Sequence, residues 1–543
     1  MPDQCLSRRS VITRLVAAAA VASLVAACAP RQPANTPAPV SSASSASSAP
    51  TAAPTQANGV APIAATTPVA AQPKKGGTLT LGQTAPVVTT DPYPSNDNST
   101  NLRQAFFNML VQVDEKGIPQ PDLAESWVTA EDGLGITFKL RQGVKFHNGK
   151  DFTAEEAKWS VEWAQNPKSL AQAVGELQGV KITATDKYTL DLKFPTPLPE
   201  IFSLLVGVPM IEPSSDLKKA VIGTGPFKLE SLAPGDQISL TRNPTYWRQG
   251  YPLLDKYVIK AIPDANSLVI NLQSGAVQAI FKPPLNQAKQ LSSGSTKVIN
   301  LPAAGNFEFL PSTVDKPFSD QKVRQAMDYA IDRKRFAATI LYGFATPAYT
   351  MWPKGSPGYF PALDTGDFNL DKAKRMIADA GYPNGFSTSM VCSTESFPEL
   401  TTICQAFQSD LAKIGVKMTI DDQEASRYVE TVRFGRYTGM AAHGYGFGDQ
   451  DPALIFLARP FDPNMNPARF KSDEYKKLIL EGKNERDPAK RQEIYQQITQ
   501  FVRDQAFVLP IATVPRMFAF RANVQGFKYN ANKEPNFEET WLA

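Results

Sequence analysis

Histidine is nearly missing: 543 residues hold two, His147 and His443. That excludes any centre built from several imidazoles, and a Ser-His-Asp triad is left only those two rings to draw on. His147 sits in a turn and reads as structural; His443 precedes a glycine-rich stretch and reads as a contact rather than a base. The motifs G-x-S-x-G, H-E-x-x-H and C-x-x-C do not occur. Excess charge of one sign is also lacking. Fifty-six basic side chains face 52 acidic ones, a formal +4, too little for a nucleic-acid-binding face. Cysteine is scarce, with four residues, Cys5, Cys28, Cys392 and Cys404, so no disulfide framework or cysteine-rich metal site is available. Long apolar runs are limited to LVAAAAVASLVAA (15–27), too short for a stable membrane span. GVKFHNGKD (143–151) has glycines, but their spacing is wrong for a phosphate loop and Asp151 stands where Ser or Thr is required. No cofactor and no metal are expected.

What is present begins with an export signal. SRRSVITRL (7–15) supplies positive charge ahead of the apolar run, and Arg8-Arg9 resembles a twin-arginine signal. The run ends in Val25-Ala26-Ala27-Cys28, which resembles a bacterial lipoprotein cleavage box. Residues 1–28 are thus expected to be a signal peptide with Cys28 as the lipid site. Removing residues 1–27 leaves 53 basic and 51 acidic side chains, a net +2, so lipid rather than charge would hold the protein at a membrane. Residues 29–75 are rich in Ala, Pro, Ser and Thr, and such a segment buries too little apolar surface to order itself. It reads as a tether, on the order of 40 Å long. The expected place is extracytoplasmic and membrane-anchored.

The body from residue 76 alternates helix and strand patterns, the mark of an α/β protein. GGTLTLG (76–82) and YTLDLKF (188–194) alternate like strands, and residues 223–243 read as strand, turn, strand. Leu102, Ala105, Phe106, Met109, Leu110 and Val113 fall on one helical face. Thr153 and Glu156 form a capping box. Helices are expected from Asp332 to about Leu341, after Asn369, from about Pro398 to Ile414, and over 472–506 with a break at Pro488. In that third helix Leu400, Ile403, Cys404, Phe407 and Leu411 share a face, which makes Cys404 a core residue; an oxidising compartment would also permit a Cys392–Cys404 disulfide. YGFGDQDP (445–452) combines aromatics, glycines and two acids. Asp451 before Pro452 suits a turn or helix start, and Asp449 is the better solute contact.

Several stretches together resemble the family 5 extracytoplasmic solute-binding proteins of ABC importers, the oligopeptide, dipeptide and nickel type. They include PDLAESW (121–127), TFKLRQGVKFHNGKDFTAEE (137–156), GTGPFKL (223–229), RNPTYW (242–247), PFSDQKVRQAMDYAIDR (317–333), AKRMIADAGYPNGF (373–386) and GYGFGDQDP (444–452). The resemblance implies a two-lobed periplasmic-binding-protein-like fold with a hinge and an extra subdomain on lobe I. Residues 76–113, 218–300 and 510–543 would form lobe I, 114–217 the subdomain and 301–509 lobe II, with crossings near Ile299–Ala304 and Leu509–Thr513. It implies a monomer that closes over an oligopeptide and presents it to a membrane permease, with no reaction and no nucleic acid involved.

In peptide-binding members this loop commonly carries a Trp and, three residues on, an Asp for the peptide's amino terminus. Tyr445 matches the Trp position, Gly448 stands where the acid is expected, and Asp449 comes one residue late. Phe447, His443, Trp352, Phe307, Tyr93 and Asn96 are the other candidate contacts. The glycine at 448 leaves an oligosaccharide, a haem-like group or a metal chelate as alternative cargo. A secreted hydrolase, opposed by the histidine count, and a surface sensor or chaperone are the readings from other classes.

Overall fold

A computed structural model describes residues 72–93, 97–114, 117–169, 171, 174–217, 220–303, 305–446 and 451–543. The signal segment with Cys28, the tether to residue 71, Asn96, Ala304, and Phe447, Gly448 and Asp449 lie outside them.

Two sheets organise the body. The Thr-Leu alternation after Gly77 forms the strand Thr78–Gln83, with Leu79 and Leu81 fully buried. It lies in a seven-stranded sheet, parallel to both Lys256–Ala261 and Ala279–Phe281. The hairpin Phe227–Ala233 and Gln237–Arg242 extends one side; Arg516–Arg521 and Thr296–Leu301 extend the other. The second sheet has five strands in the order Lys417–Asp422, Ser387–Cys392, Met440–Gly444, Asn306–Pro311 and Leu509–Thr513. The chain therefore passes from the first sheet to the second between Leu301 and Asn306, and returns between Thr513 and Arg516. The return comes later than the boundary expected at 510, because Leu509–Thr513 is buried throughout and pairs antiparallel with Asn306–Pro311.

A third layer sits on the first lobe: a four-stranded antiparallel sheet of Ala124–Thr129, Gly135–Leu140, Thr189–Lys193 and Lys181–Asp186. The helix Ala154–Gln165 packs on it and starts at the expected capping box. There the Glu155 amide donates to Thr153 Oγ1 at 3.3 Å and the Thr153 amide donates to Glu156 Oε2 at 2.9 Å. Asn369 likewise caps Leu370–Asp379, Pro398–Ala412 ends ahead of Gly415, and the 472–506 stretch divides into Asp473–Asn484 and Pro488–Gln505.

One helical expectation fails for an identifiable reason, and a second holds in extent but not in winding. The apolar face from Leu102 to Val113 is not one helix; Asp97–Phe106 stops and Val111–Val113 is a strand. The Phe106 carbonyl accepts the Gly225 amide at 3.0 Å, and a side chain on Gly223 would stand 2.2 Å from that oxygen. A tertiary contact thus takes the helix end. The stretch after Asp332 becomes one α-turn, Arg333–Arg335, and a π-turn, Phe336–Ile340. Thr339 Oγ1 donates to the Arg335 carbonyl at 2.7 Å, a side-chain bond that competes with the helix ladder.

The two crossings are neighbours: the Val514 amide donates to the Gly305 carbonyl at 2.9 Å. A Cβ on Gly305 would lie 1.5 Å from the Tyr445 carbonyl oxygen, so only glycine fits between crossing and loop. Gly305→Ala is expected to cost about 1–3 kcal/mol through overpacking, read as a lower urea midpoint. Gly175→Ala, which faces open space, is expected to leave the midpoint unchanged.

Candidate functional site

The site is assembled where Asn306–Pro311 and Met440–Gly444 run side by side at the crossing. Strand alternation sends Phe307 and Phe309 to one face of this sheet and Glu308 and Leu310 to the other. Phe307 is buried, edge-on to Phe397 at 6.1 Å and against Gly444. On the opposite face Glu308 pairs in register with His443. Tyr428 donates its hydroxyl proton to the Ala442 carbonyl at 2.7 Å. That makes His443 Nδ1, 3.2 Å from the same hydroxyl oxygen, the donor in its own bond. Burial pushes the imidazole down to about 4, so the ring is neutral at ordinary pH and suits hydrogen bonding rather than charge pairing. Glu308 is completely buried, and neither carboxyl oxygen has a hydrogen-bond partner among the described residues. Burial pushes its pKa well up, and the neutral acid is the form that such a place tolerates.

The other sequence candidates fall in different places. Tyr445 is buried; its hydroxyl donates to the Met351 carbonyl and its ring meets Phe461 edge-on at 5.0 Å. Trp352 is not a cleft wall. Nε1 donates to Thr499 Oγ1 at 2.7 Å, Phe456 and Tyr495 meet the ring edge-on, and Gly358 lies against its face. Every side of the indole is occupied, which makes it a core residue of the second lobe. Tyr93 belongs to the core of the first lobe, with a buried hydroxyl that has no partner among the described residues. Phe307 and His443 therefore lie on adjacent strands but on opposite faces, Tyr445 follows directly after the second strand and shares a core with Trp352, and Tyr93 belongs to the other lobe.

The Cys392–Cys404 disulfide is not formed: both are buried free thiols. A hydrogen bond from its neighbour Cys404 lowers Cys392, but burial holds Cys404 well up as a thiol. Among the described residues no three His, Cys, Asp or Glu side chains converge to hold a metal, and no helix is long and apolar enough to cross a membrane.

Asp451 closes the loop as the sequence suggested. It caps the short turn Pro452–Leu457 through the Ala453 amide at 2.9 Å. It also takes both terminal nitrogens of Arg491 at 2.6 Å each, the bidentate arrangement that orients a carboxylate most firmly. Beyond this point the two lobes touch. The Asp451 amide donates to Ser203 Oγ at 3.3 Å, Lys483 pairs with Glu176 at 2.7 Å, and Arg486 reaches the Asp132 carbonyl. Leu454, 2% exposed, is part of the first lobe's core. Asp451 apart, none of these seam residues stood out in the sequence. Ser203, Glu176, Asp132, Lys483 and Arg486 are ordinary surface residue types, and only the meeting of distant segments gives each its partner.

Residues 119–464 match the family described as Bacterial extracellular solute-binding proteins, family 5 Middle. The glutathione-binding protein of Escherichia coli (strain K12) is 27% identical over 478 residues, covering 84% of this chain and 92% of that protein. The PBP AgaA from A. tumefacien R10, solved with agropinic acid, is 26% identical with a TM-score of 0.75 over 86% of this chain and 99% of that one. The periplasmic binding protein DppA from Helicobacter pylori, solved with the peptide STSA, is 25% identical with a TM-score of 0.75, covering 86% and 98%.

Glu308 makes a measurable pH dependence. Its folded pKa lies above the unfolded value near 4.5, so its contribution to stability is complete below that value and is lost as pH rises through the folded one. Between those values the parent is expected to lose stability relative to Glu308→Gln by up to about 1.4 kcal/mol per pH unit. Urea midpoints of both proteins from pH 5 to 8 check this; parallel curves would remove the buried carboxyl as the cause.

Proposed function

The chain belongs to the bacterial extracellular solute-binding proteins of family 5, which serve ABC importers, and we propose that its cargo is a short peptide. The observation that carries this reading is the likeness to glutathione-binding proteins along most of the chain; glutathione is itself a modified tripeptide. The likeness to the H. pylori protein solved with a peptide supports it. The protein works by closure: solute binds between the lobes, and its higher affinity for the closed form shifts the population towards it. The closed form is what the permease recognises.

In this reading Cys28 carries lipid, residues 29–75 are the leash, and a monomer works at the outer face of a membrane. Residues 76–113, 218–300 and those after the second crossing form lobe I, 114–217 its subdomain, and the residues between the crossings lobe II. Phe307, His443 and Tyr445 support the solute loop, and Phe447, Gly448 and Asp449 carry the contact itself. Asp449 receives the peptide's ammonium group, with Gly448 supplying the backbone freedom that a one-residue offset needs. A charged amine enclosed without such an anion would be costly.

A second reading keeps the fold and changes the cargo to a small organic acid. The likeness to the agropinic-acid complex favours it, together with the absence of an acid at Gly448. Thermal unfolding in the presence of glutathione, the peptide STSA, agropinic acid and a malto-oligosaccharide separates the two. A peptide at about 100 times its Kd adds ~2.7 kcal/mol of stability and is expected to raise the midpoint while the sugar leaves it unmoved. By calorimetry, Asp449→Asn is expected to weaken peptide binding at least about tenfold, as loss of one member of an enclosed charge pair does. A response to agropinic acid alone would reject peptide; unchanged affinity in the variant would take Asp449 out of the contact.

A further inference from the structure

The seam between the lobes holds a charge cluster that solute binding does not use. Glu200 precedes the short helix Ile201–Leu205, and its side chain is 2% exposed. Arg491 approaches it from the helix Pro488–Gln505 of the other lobe, but both terminal guanidinium nitrogens are already engaged by Asp451 and Nε by the Gly482 carbonyl. Glu200 Oε2 is left 4.0 Å from Arg491, with no hydrogen bond among the described residues. Two carboxylates therefore face one guanidinium where water scarcely reaches, and such a group is unfavourable while both are ionised.

The charged groups acting on Glu200 all come from the opposite lobe. They are Asp451 at the start of the Pro452–Leu457 turn, Arg491, and Lys483 from Asp473–Asn484. Tyr495, on the same helix as Arg491, also faces it. Lys483 is itself paired with Glu176 at 2.7 Å, so it offers Glu200 only a distant charge. Separating the lobes takes every one of these groups away and returns Glu200 to water.

Resting on the reading of this protein as one that works by lobe closure, we propose that the Glu200–Asp451–Arg491 cluster is a proton-coupled latch: shutting the lobes takes up one proton on Glu200. Asp451 and Arg491 join the loop end to the helix through their paired hydrogen bonds. Lys483 with Glu176, at 2.7 Å, is a second clasp across the seam. An open Glu200 titrates near the ordinary 4.5, whereas burial, then the charge of Asp451, lift it to about 7 when the lobes are shut. The closed form has the higher pKa, so its advantage is complete below about 4.5 and is lost as pH rises to about 7. Across that window the closed-to-open ratio falls by up to about tenfold per pH unit. Cargo is held most firmly in acid and let go most readily at neutral pH and above.

The test uses the full chain without solute, so the latch and the identity of the cargo fail independently. Donor and acceptor dyes are attached through bio-orthogonal amino acids in place of Lys187 and Lys477, both well exposed and on opposite lobes. Single-molecule energy transfer then reads the closed fraction from pH 5.5 to 8. In the parent the closed-to-open ratio is expected to fall about tenfold or more over that range, and in Glu200→Gln to stay high and flat. Asp451→Asn, which removes the repelling charge, is expected to move the midpoint to lower pH. A parent ratio that ignores pH, an identical pH response in Glu200→Gln, or an unmoved midpoint in Asp451→Asn would each overturn the latch.

Discussion

Backbone meets backbone where Gly305 passes the Tyr445 carbonyl, and that approach leaves no room for a single methyl group. Much else follows from it. The Val514 amide bonds to the Gly305 carbonyl, so both crossings between sheets run through one narrow place. The strand Met440–Gly444 ends at the same place, and the loop that follows leaves directly from the hinge. A binding protein that closes has to move two rigid bodies about a small number of residues. Here the segment proposed to hold solute begins next to those residues, and the variable that governs the rest of the molecule is the angle between lobes.

The charges divide by whether that variable touches them. Within the first lobe Asp122 is fully buried but accepts from the Met109 amide, Asn108 and Gln112; burial still lifts it to about 6. Glu538 pairs with Arg248 at 2.8 Å in the same lobe. Such networks lie within one rigid body and report on folding. Glu200 differs because its neighbours belong to the other body. Its protonation therefore reports on closure, and the same physical term that makes Asp122 a folding group makes Glu200 a conformational one.

Two buried titratable groups at the crossing are held neutral by burial. His443 is neutral and its Nδ1 is engaged with Tyr428; Glu308, its cross-strand partner, is a neutral acid. Neither can activate a nucleophile as arranged.

Local chemistry was legible from the chain alone. Thr153 with Glu156, Asn369 and Asp451 each act through atoms within a few residues of themselves, and their caps appear where the spacing placed them. The distinct motifs spread over residues 121–452 carried the family, and the family carried the two-lobed α/β fold. Tertiary contact decided the rest. It ended the helix at Phe106 because Gly225 donates to the Phe106 carbonyl, and it drew Leu509–Thr513 into the second sheet. It made Trp352 core, because Thr499, Phe456 and Gly358 converge on it from other segments. Above all it set Glu200 against Asp451 and Arg491, some 250 residues or more away along the chain. A cap needs only its own turn of backbone; a charge learns its partner only when two distant surfaces meet.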